Sequence, residues 1–195
     1  ATKVAVYVML RLVFTVFSIG FAYVTPTDGM FMLVGALGVI VASIYASYQQ
    51  DAKRLLAYSS VAQIGYSLRG IGFASALRLT ASVLHIVNHA LMKGALFMAV
   101  GALVYRIGHS QISQFKGLGR QMPWTFGALV LAGLSLIGIP GTAGFISKWY
   151  LVLAAIEQQA WFIAIIILGG SLLAVIYMWK LVEALFFQSA SEERA

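Results

Sequence analysis

The chain has 195 residues, of which 61% are hydrophobic and only 10% charged, with a formal net charge of +7 and no cysteine. A soluble domain is about 45–50% apolar and about 25% charged, so too few charges remain here to face water, and a soluble enzyme, a nucleic-acid-binding module and a disordered tail are excluded. The basic residues are scattered singly through apolar runs and form no nucleic-acid patch, and without cysteine there are no disulfides, thiolate zinc sites or iron–sulfur ligands.

What remains is an integral membrane protein, and spans of about 20 apolar residues are the signal to follow. Six are predicted. The first covers residues 3–24 and stops at a Thr-Pro-Thr-Asp-Gly turn cluster. The second covers 30–48 and ends at the polar stretch 49–54. The third, 55–73, is the most polar, with Tyr58, Ser59, Ser60, Gln63 and Tyr66. The fourth, 79–105, is long enough to span with tilt or a kink. A polar loop over 106–122 follows, with room for a short amphipathic stretch. The fifth starts near Trp124, is broken around 138–141 and resumes to about 156, and the sixth is 161–187, before a charged tail. Long continuous apolar runs select helices over a barrel, whose strands are short and alternating. The expected fold is therefore all-α: a polytopic transmembrane bundle of about six helices, one of them discontinuous.

Orientation follows from the basic residues. With the chain starting inside, the inside segments carry Lys53, Arg54, Arg106, Lys116, Arg120, Lys180 and Arg194, against Arg69 and Arg78 outside. That asymmetry places both ends of this segment in the cytoplasm, and a bacterial inner membrane is the expected location. A span that opens almost at residue 1, with no initiator Met and no signal peptide, leads us to expect a fragment of a longer chain.

Ionisable groups at membrane depth cost roughly 2.5–3.5 kcal/mol each on insertion scales and mark function by default. His85, His89 and Lys93 recur at i, i+4 and i+8 in the fourth span, which lines them along about 12 Å of one helix face. Asn88 adds a donor near that stripe. Three titratable groups on one face favour a proton path over the plainer alternative, two hydrogen-bonded core histidines with a snorkelling lysine. A metal or haem is disfavoured: Ile86 stands where a zinc protease needs Glu, no acidic residue completes a ligand set, and both histidines lie on one helix. We expect no metal and no cofactor.

The second constellation is GIPGTAGFISK, residues 138–148. Pro140 removes a backbone donor, and Gly138, Gly141 and Gly144 weaken the helix further. Broken helices of this kind build ion sites in transporters. Lys148 follows the break by one to two turns, with Ser147 beside it. Desolvation and the positive end of the resumed half-helix both disfavour its ammonium form, which suits a switchable proton carrier. The alternative is a proline kink with an interfacial lysine. Lys3, with Tyr7 and Arg11 at i+4 spacing, is the third candidate, and becomes a buried group only if the chain continues upstream. Tyr58, Ser59 and Gln63 can hydrogen-bond to water or act as packing glue between helices. Trp124, Trp161 and Trp179 suit interfacial anchoring.

Several stretches together carry a resemblance: TKVAVYVMLR at 2–11, DAKRLLAYSSVAQIGY at 51–66, HIVNHALMKGALF at 85–97, GLGR at 117–120 and GIPGTAGFISKWY at 138–150. In this order the sequence resembles the antiporter-like membrane subunits shared by respiratory complex I, membrane-bound hydrogenases and Mrp-type sodium/proton antiporters, and over 138–150 it is most similar to the D-type Mrp subunit. The resemblance implies a fold of about fourteen helices with two inverted five-helix repeats. Residues 1–24 then match the eighth helix with its Lys3, residues 25–187 the complete second repeat, and 188–195 a charged tail. Lys148 matches the charged residue of the broken twelfth helix, and His85 to Lys93 the eleventh-helix part of the polar axis. The first-half Glu and Lys of the family are absent from this chain, and Arg69 and Arg78 depart from the neutral residues expected there.

The resemblance implies proton translocation along Lys3, His85, His89, Lys93, Lys148 and water, within a multisubunit complex and a lipid bilayer. Alternatives are a structural subunit without ion flux, sodium/proton exchange, which needs buried carboxylates and carbonyls, and a solute carrier with an apolar pocket. Redox chemistry would belong to the partner subunits.

Overall fold

The computed structural model describes residues 2–12, 27–71, 76–157 and 159–188. They form α1 (Thr2–Arg11), α2 (Thr27–Tyr48), α3 (Ala52–Ile71), α4 (Ala76–Ile107), a 3-10 turn (Ile112–Phe115), α5 (Leu118–Gln121), α6 (Pro123–Ile137), α7 (Ala143–Glu157), α8 (Trp161–Val182) and a π-helical turn (Glu183–Phe187). All the regular elements among the described residues are helical; one isolated bridge joins Asp51 to Gln111.

By length and composition, two of these helices can cross a membrane, over Thr80–Ile107 and Trp161–Phe187, and Leu33–Tyr48 and Pro123–Ile137 are shorter apolar helices. The other predicted spans fall below that standard for distinct reasons. The polar side chains of α3 dilute its hydropathy, and the fifth run is divided between α6 and α7. Most of the first predicted span, residues 13–24, lies outside the described residues, as do 72–75 and the tail from 189. The outward faces are nevertheless apolar: Phe162 and Leu172 on α8 are each 70% exposed, which suits lipid better than water.

The long helix α4 is the centre of the bundle, touching α3, α6 and α7, while α2 packs on α3 and α8. Two apolar clusters result. One gathers Leu55, Leu56, Leu96, Phe115, Leu136 and Met178, and the other Val39, Tyr66, Ala81, Leu151 and Ile167. The buried polar side chains Ser59, Gln63, Ser82, His85 and His89 lie on the stretches of α3 and α4 between these clusters. The polar band is thus enclosed by oil at both ends.

The predicted loop 106–122 is strapped to the α2–α3 turn. Ala52 N–H donates to Ser110 O (2.9 Å) and Ile112 N–H to Gln50 O (2.9 Å). Asp51 caps α3 by accepting from Arg54 N–H at 3.0 Å and also accepts the Ser110 hydroxyl. Its carboxyl is held below the usual 3.8: burial works to raise it, but the Ser110 hydroxyl, the Arg54 and Lys53 amides and the Arg54 charge outweigh burial. Across the bundle Lys180 reaches the end of α2, donating to Gln49 O (2.7 Å) and Ser47 O (3.4 Å).

Candidate functional site

The i, i+4, i+8 spacing on α4 turns His85, His89 and Lys93 inward together; they are 0%, 2% and 1% exposed. The two imidazoles stack with centroids 6.1 Å apart. Lys93 donates to Leu56 O at 3.0 Å and to the Ser59 hydroxyl. Ser59 spends its own hydrogen on Leu56 O (3.0 Å), so its lone pairs face the lysine. Tyr177 of α8, fully buried, comes in beside Gln63 and Ser59.

At the other end of the stripe, His85 Nδ1 lies 3.1 Å from Ser147 Oγ. Ser147 donates to Gly144 O (3.1 Å); with that hydrogen engaged, Nδ1 is the donor and Nε2 the acceptor. Nε2 of His85, Oε1 of Gln63 and Oγ of Ser82 are buried without a hydrogen-bond partner. Buried polar atoms of this kind normally hold water.

The break between α6 and α7 accounts for nearly every polar group it frees. Gly138 ends α6 in the left-handed region at φ 91°, and its N–H and that of Ile139 both return to Leu134 O (3.0 and 3.2 Å). At the start of α7, Thr142 Oγ1 accepts from Phe145 N–H (3.3 Å) and Ser135 Oγ from Gly144 N–H (3.0 Å). Gly144 packs so tightly on Ser135 O that a Cβ there would overlap it. Pro140 and Gly141 form the exposed turn between the halves.

Lys148 fills the remaining gap. Its Nζ donates to Leu136 O, Ile137 O and Ser171 Oγ, each at 2.9 Å, and lies 5.3 Å from the Tyr66 ring centroid. Sequence alone points only to the positive end of α7. In the fold the ammonium turns back onto the carbonyl end of α6, where the helix dipole favours a cation. Tyr66 stands between the two titratable ends: its ring meets His85 edge-on at 5.6 Å and its hydroxyl donates to Ile167 O at 3.3 Å.

His85, His89, Lys93, Lys148, Ser59, Gln63 and Ser147 therefore come together. Asn88 turns aside and donates to Ala143 O at 2.8 Å, tying α4 to the start of α7. Tyr58 is exposed and stacks on Tyr45 at 5.8 Å, so the tyrosine that α3 supplies to the cluster is Tyr66. Lys3 lies on α1, which packs near α3 and α4, but its side chain is outside the described residues. Sequence names Tyr66 only among the polar side chains of its span, and points to neither Tyr177 nor Ser171. Tyr66 carried a signal, the i+7 spacing from Ser59, whereas Ser171 had only a Gly-Gly pair before it in an apolar run.

Among the described residues no group of three His, Cys, Asp or Glu could hold a metal, and no Asp or Glu is buried. The arrangement gathers two imidazoles and two amines, with hydroxyls beside Lys93, His85 and Lys148, inside an apolar surround.

A family model described as "NADH:quinone oxidoreductase/Mrp antiporter, TM" matches residues 1–174. The N-type subunit of the NADH-quinone oxidoreductase of Desulforudis audaxviator is 39% identical over 194 residues, covering 100% of this chain and 38% of that protein. The D-type subunit of the Na(+)/H(+) antiporter of Alkalihalophilus pseudofirmus is 32% identical over 200 residues, covering 100% of this chain and 39% of that protein. Whole-chain identity is thus higher to that N-type subunit than to this D-type one, beside the D-type wording of 138–150. A chain in the structure of the Mrp complex from Dietzia sp. matches with a TM-score of 0.89 at 27% identity, covering 97% of this chain and 34% of that one. One in respiratory complex I from Thermus thermophilus matches with 0.70 at 30% identity, covering 84% and 37%. The chain spans under two fifths of the length of these relatives, and by fold and sequence it belongs to the NADH:quinone oxidoreductase/Mrp antiporter transmembrane family.

Proposed function

We propose that this chain carries protons through the membrane as part of an antiporter-like subunit in a multisubunit complex. The relay runs through Lys93, His89, His85 and Lys148, with Ser59, Gln63 and Ser147 as hydrogen-bonding supports, Lys3 joining from α1, and water between the side chains. In this reading about six helices span the bilayer, the fifth discontinuous as α6 and α7. Residues 1–24 form one helix, 25–187 a five-helix repeat and 188–195 a tail, with both ends cytoplasmic in a bacterial inner membrane.

The observation that carries the reading is the file of four titratable side chains, each 5% exposed or less, running from α4 to the helix break of an otherwise apolar bundle. Such burial is costly, which makes groups kept there functional candidates. The absence of a buried carboxylate among the described residues gives sodium exchange no comparable support.

Proton flux measured in vesicles carrying the intact complex tests it. Lys148→Ala and His85→Ala are each expected to slow flux at least about tenfold, the effect of about 1.4 kcal/mol on a barrier. Normal flux in a fully assembled complex would instead favour a structural role.

A further inference from the structure

On the side of α4 turned away from the polar file, α4 and α6 enclose an open groove of about 620 Å³, with Ala90, Gly94, Met98 and Ala102 on one wall and Trp124 and Ala128 on the other. From Ala90 to Ala102 it follows α4 for about 18 Å, close to the roughly 15 Å hydrocarbon depth of one leaflet. Spread over that length, about 620 Å³ leaves a furrow about 6–7 Å across, too narrow to seat a helix of about 10–12 Å and wide enough for one acyl chain.

The two ends of the groove differ. The Ala90 end lies at mid-helix among apolar side chains. At the other end Arg106 stands one turn beyond Ala102 on the same face of α4. It is exposed and donates to Gln121 Oε1 at 3.2 Å, which engages one of its several N–H donors. Trp124, 91% exposed, flanks this end, and tryptophan rings settle at headgroup level. The stretch 106–121 that continues from here holds Arg106, Lys116 and Arg120 and no acidic residue. Asp51, joined to it through the Ser110 hydroxyl, is already engaged by Arg54 N–H. An oily furrow thus ends in an aromatic collar and a cationic mouth.

We propose that this groove binds one acyl chain of an anionic phospholipid, the chain lying along α4 from Ala102 to Ala90 and the phosphate held by Arg106 at the Trp124 end. A guanidinium takes phosphate oxygens bidentately, and the apolar walls bury the chain, so the site selects by headgroup where ordinary bilayer contact does not. A zwitterionic lipid brings its own ammonium to the cationic mouth and is disfavoured there. The lipid site and the proton relay use opposite faces of α4, and either can stand without the other.

The intact complex in phosphatidylcholine nanodiscs tests the site with two photoreactive probes, phosphatidylglycerol and phosphatidylcholine, each with a diazirine at the end of one acyl chain. Mass spectrometry of the illuminated complex should find the phosphatidylglycerol probe on the groove around Gly94 and Ala128, displaced by unlabelled phosphatidylglycerol. It should exceed the phosphatidylcholine probe there about fivefold, or about 1 kcal/mol. Around Leu172 on α8, 70% exposed and outside the groove, the two probes should label alike. Gly94→Trp fills the groove without disturbing the fold, since a Cβ at Gly94 meets nothing within 4 Å, and should bring labelling down to the Leu172 level. Arg106→Gln should leave the groove open and abolish the preference for phosphatidylglycerol. Equal labelling of the groove by the two probes in the unmutated complex, or no displacement, overturns the site. A groove that neither probe labels is covered by protein, which overturns it too. If Gly94→Trp fails to assemble, displacement and the Arg106→Gln comparison decide.

Discussion

Ser59, Ser147 and Ser171 behave alike: each donates backward along its own helix, to Leu56 O, Gly144 O and Ile167 O, and lends its lone pairs to Lys93, His85 or Lys148. The hydroxyl is thereby fixed as an acceptor, which orients each titratable group without adding charge. Outside the bundle, Asp51 is the one described carboxylate with a definite structural duty. Because its folded value is depressed below 3.8, the ionised form stabilises the fold, fully so above that value, and the contribution is lost as pH falls through the folded value. Asp51→Asn should flatten the acid limb of a thermal-stability profile below about pH 4, and Asp51→Ala should cost about 1 kcal/mol at neutral pH through the lost cap. A variant whose acid limb matches the parent would show that the carboxylate is not the titrating group.

The break between α6 and α7 is the element on which the site depends, and its two left-handed glycines have different duties. At Gly138 a side chain would meet both backbone strain and the Lys148 stem, while at Gly141, also at φ 91°, a Cβ would find open space. Gly141→Ala should cost about 1–2 kcal/mol of stability with proton flux retained. Gly138→Ala should cost at least that and also slow flux by displacing Lys148. Equal flux in the two variants would detach Gly138 from the site. The break was legible because glycine and proline punctuate a helix whatever surrounds them, and the α4 stripe because the helical period is local. The choice of Tyr66 over Tyr58 was not. It depends on which face of α3 meets α8, where Gly170 packs so closely on Tyr66 that a Cβ would overlap its hydroxyl. The direction of Lys148 was hidden for the same reason: it is fixed by how α6 ends, three dimensions away from its own turn.

Among the described residues the two buried lysines terminate one polar file, Lys93 against α3 and Lys148 against α6, and both rest on main-chain carbonyls. A carbonyl partner does not titrate, so proton occupancy can change at each end without leaving a second charge stranded. Six spans are predicted from hydropathy, and among the described residues α4 and the α8 region satisfy length and composition unaided; α4 does so although it supplies His85, His89 and Lys93, because its length leaves an apolar window beside them. Lys180 extends the carbonyl habit to the rim, clasping Ser47 O and Gln49 O. Lys180→Ala should leave the α2–α3 turn more open to protease in the assembled complex; an unchanged digestion pattern would deny the clasp. Its donor is translated 131 residues after Gln49. Ser47 O and Gln49 O therefore gain this donor only once α8 has been made, and the rim at the end of α2 is the last part of the bundle to close.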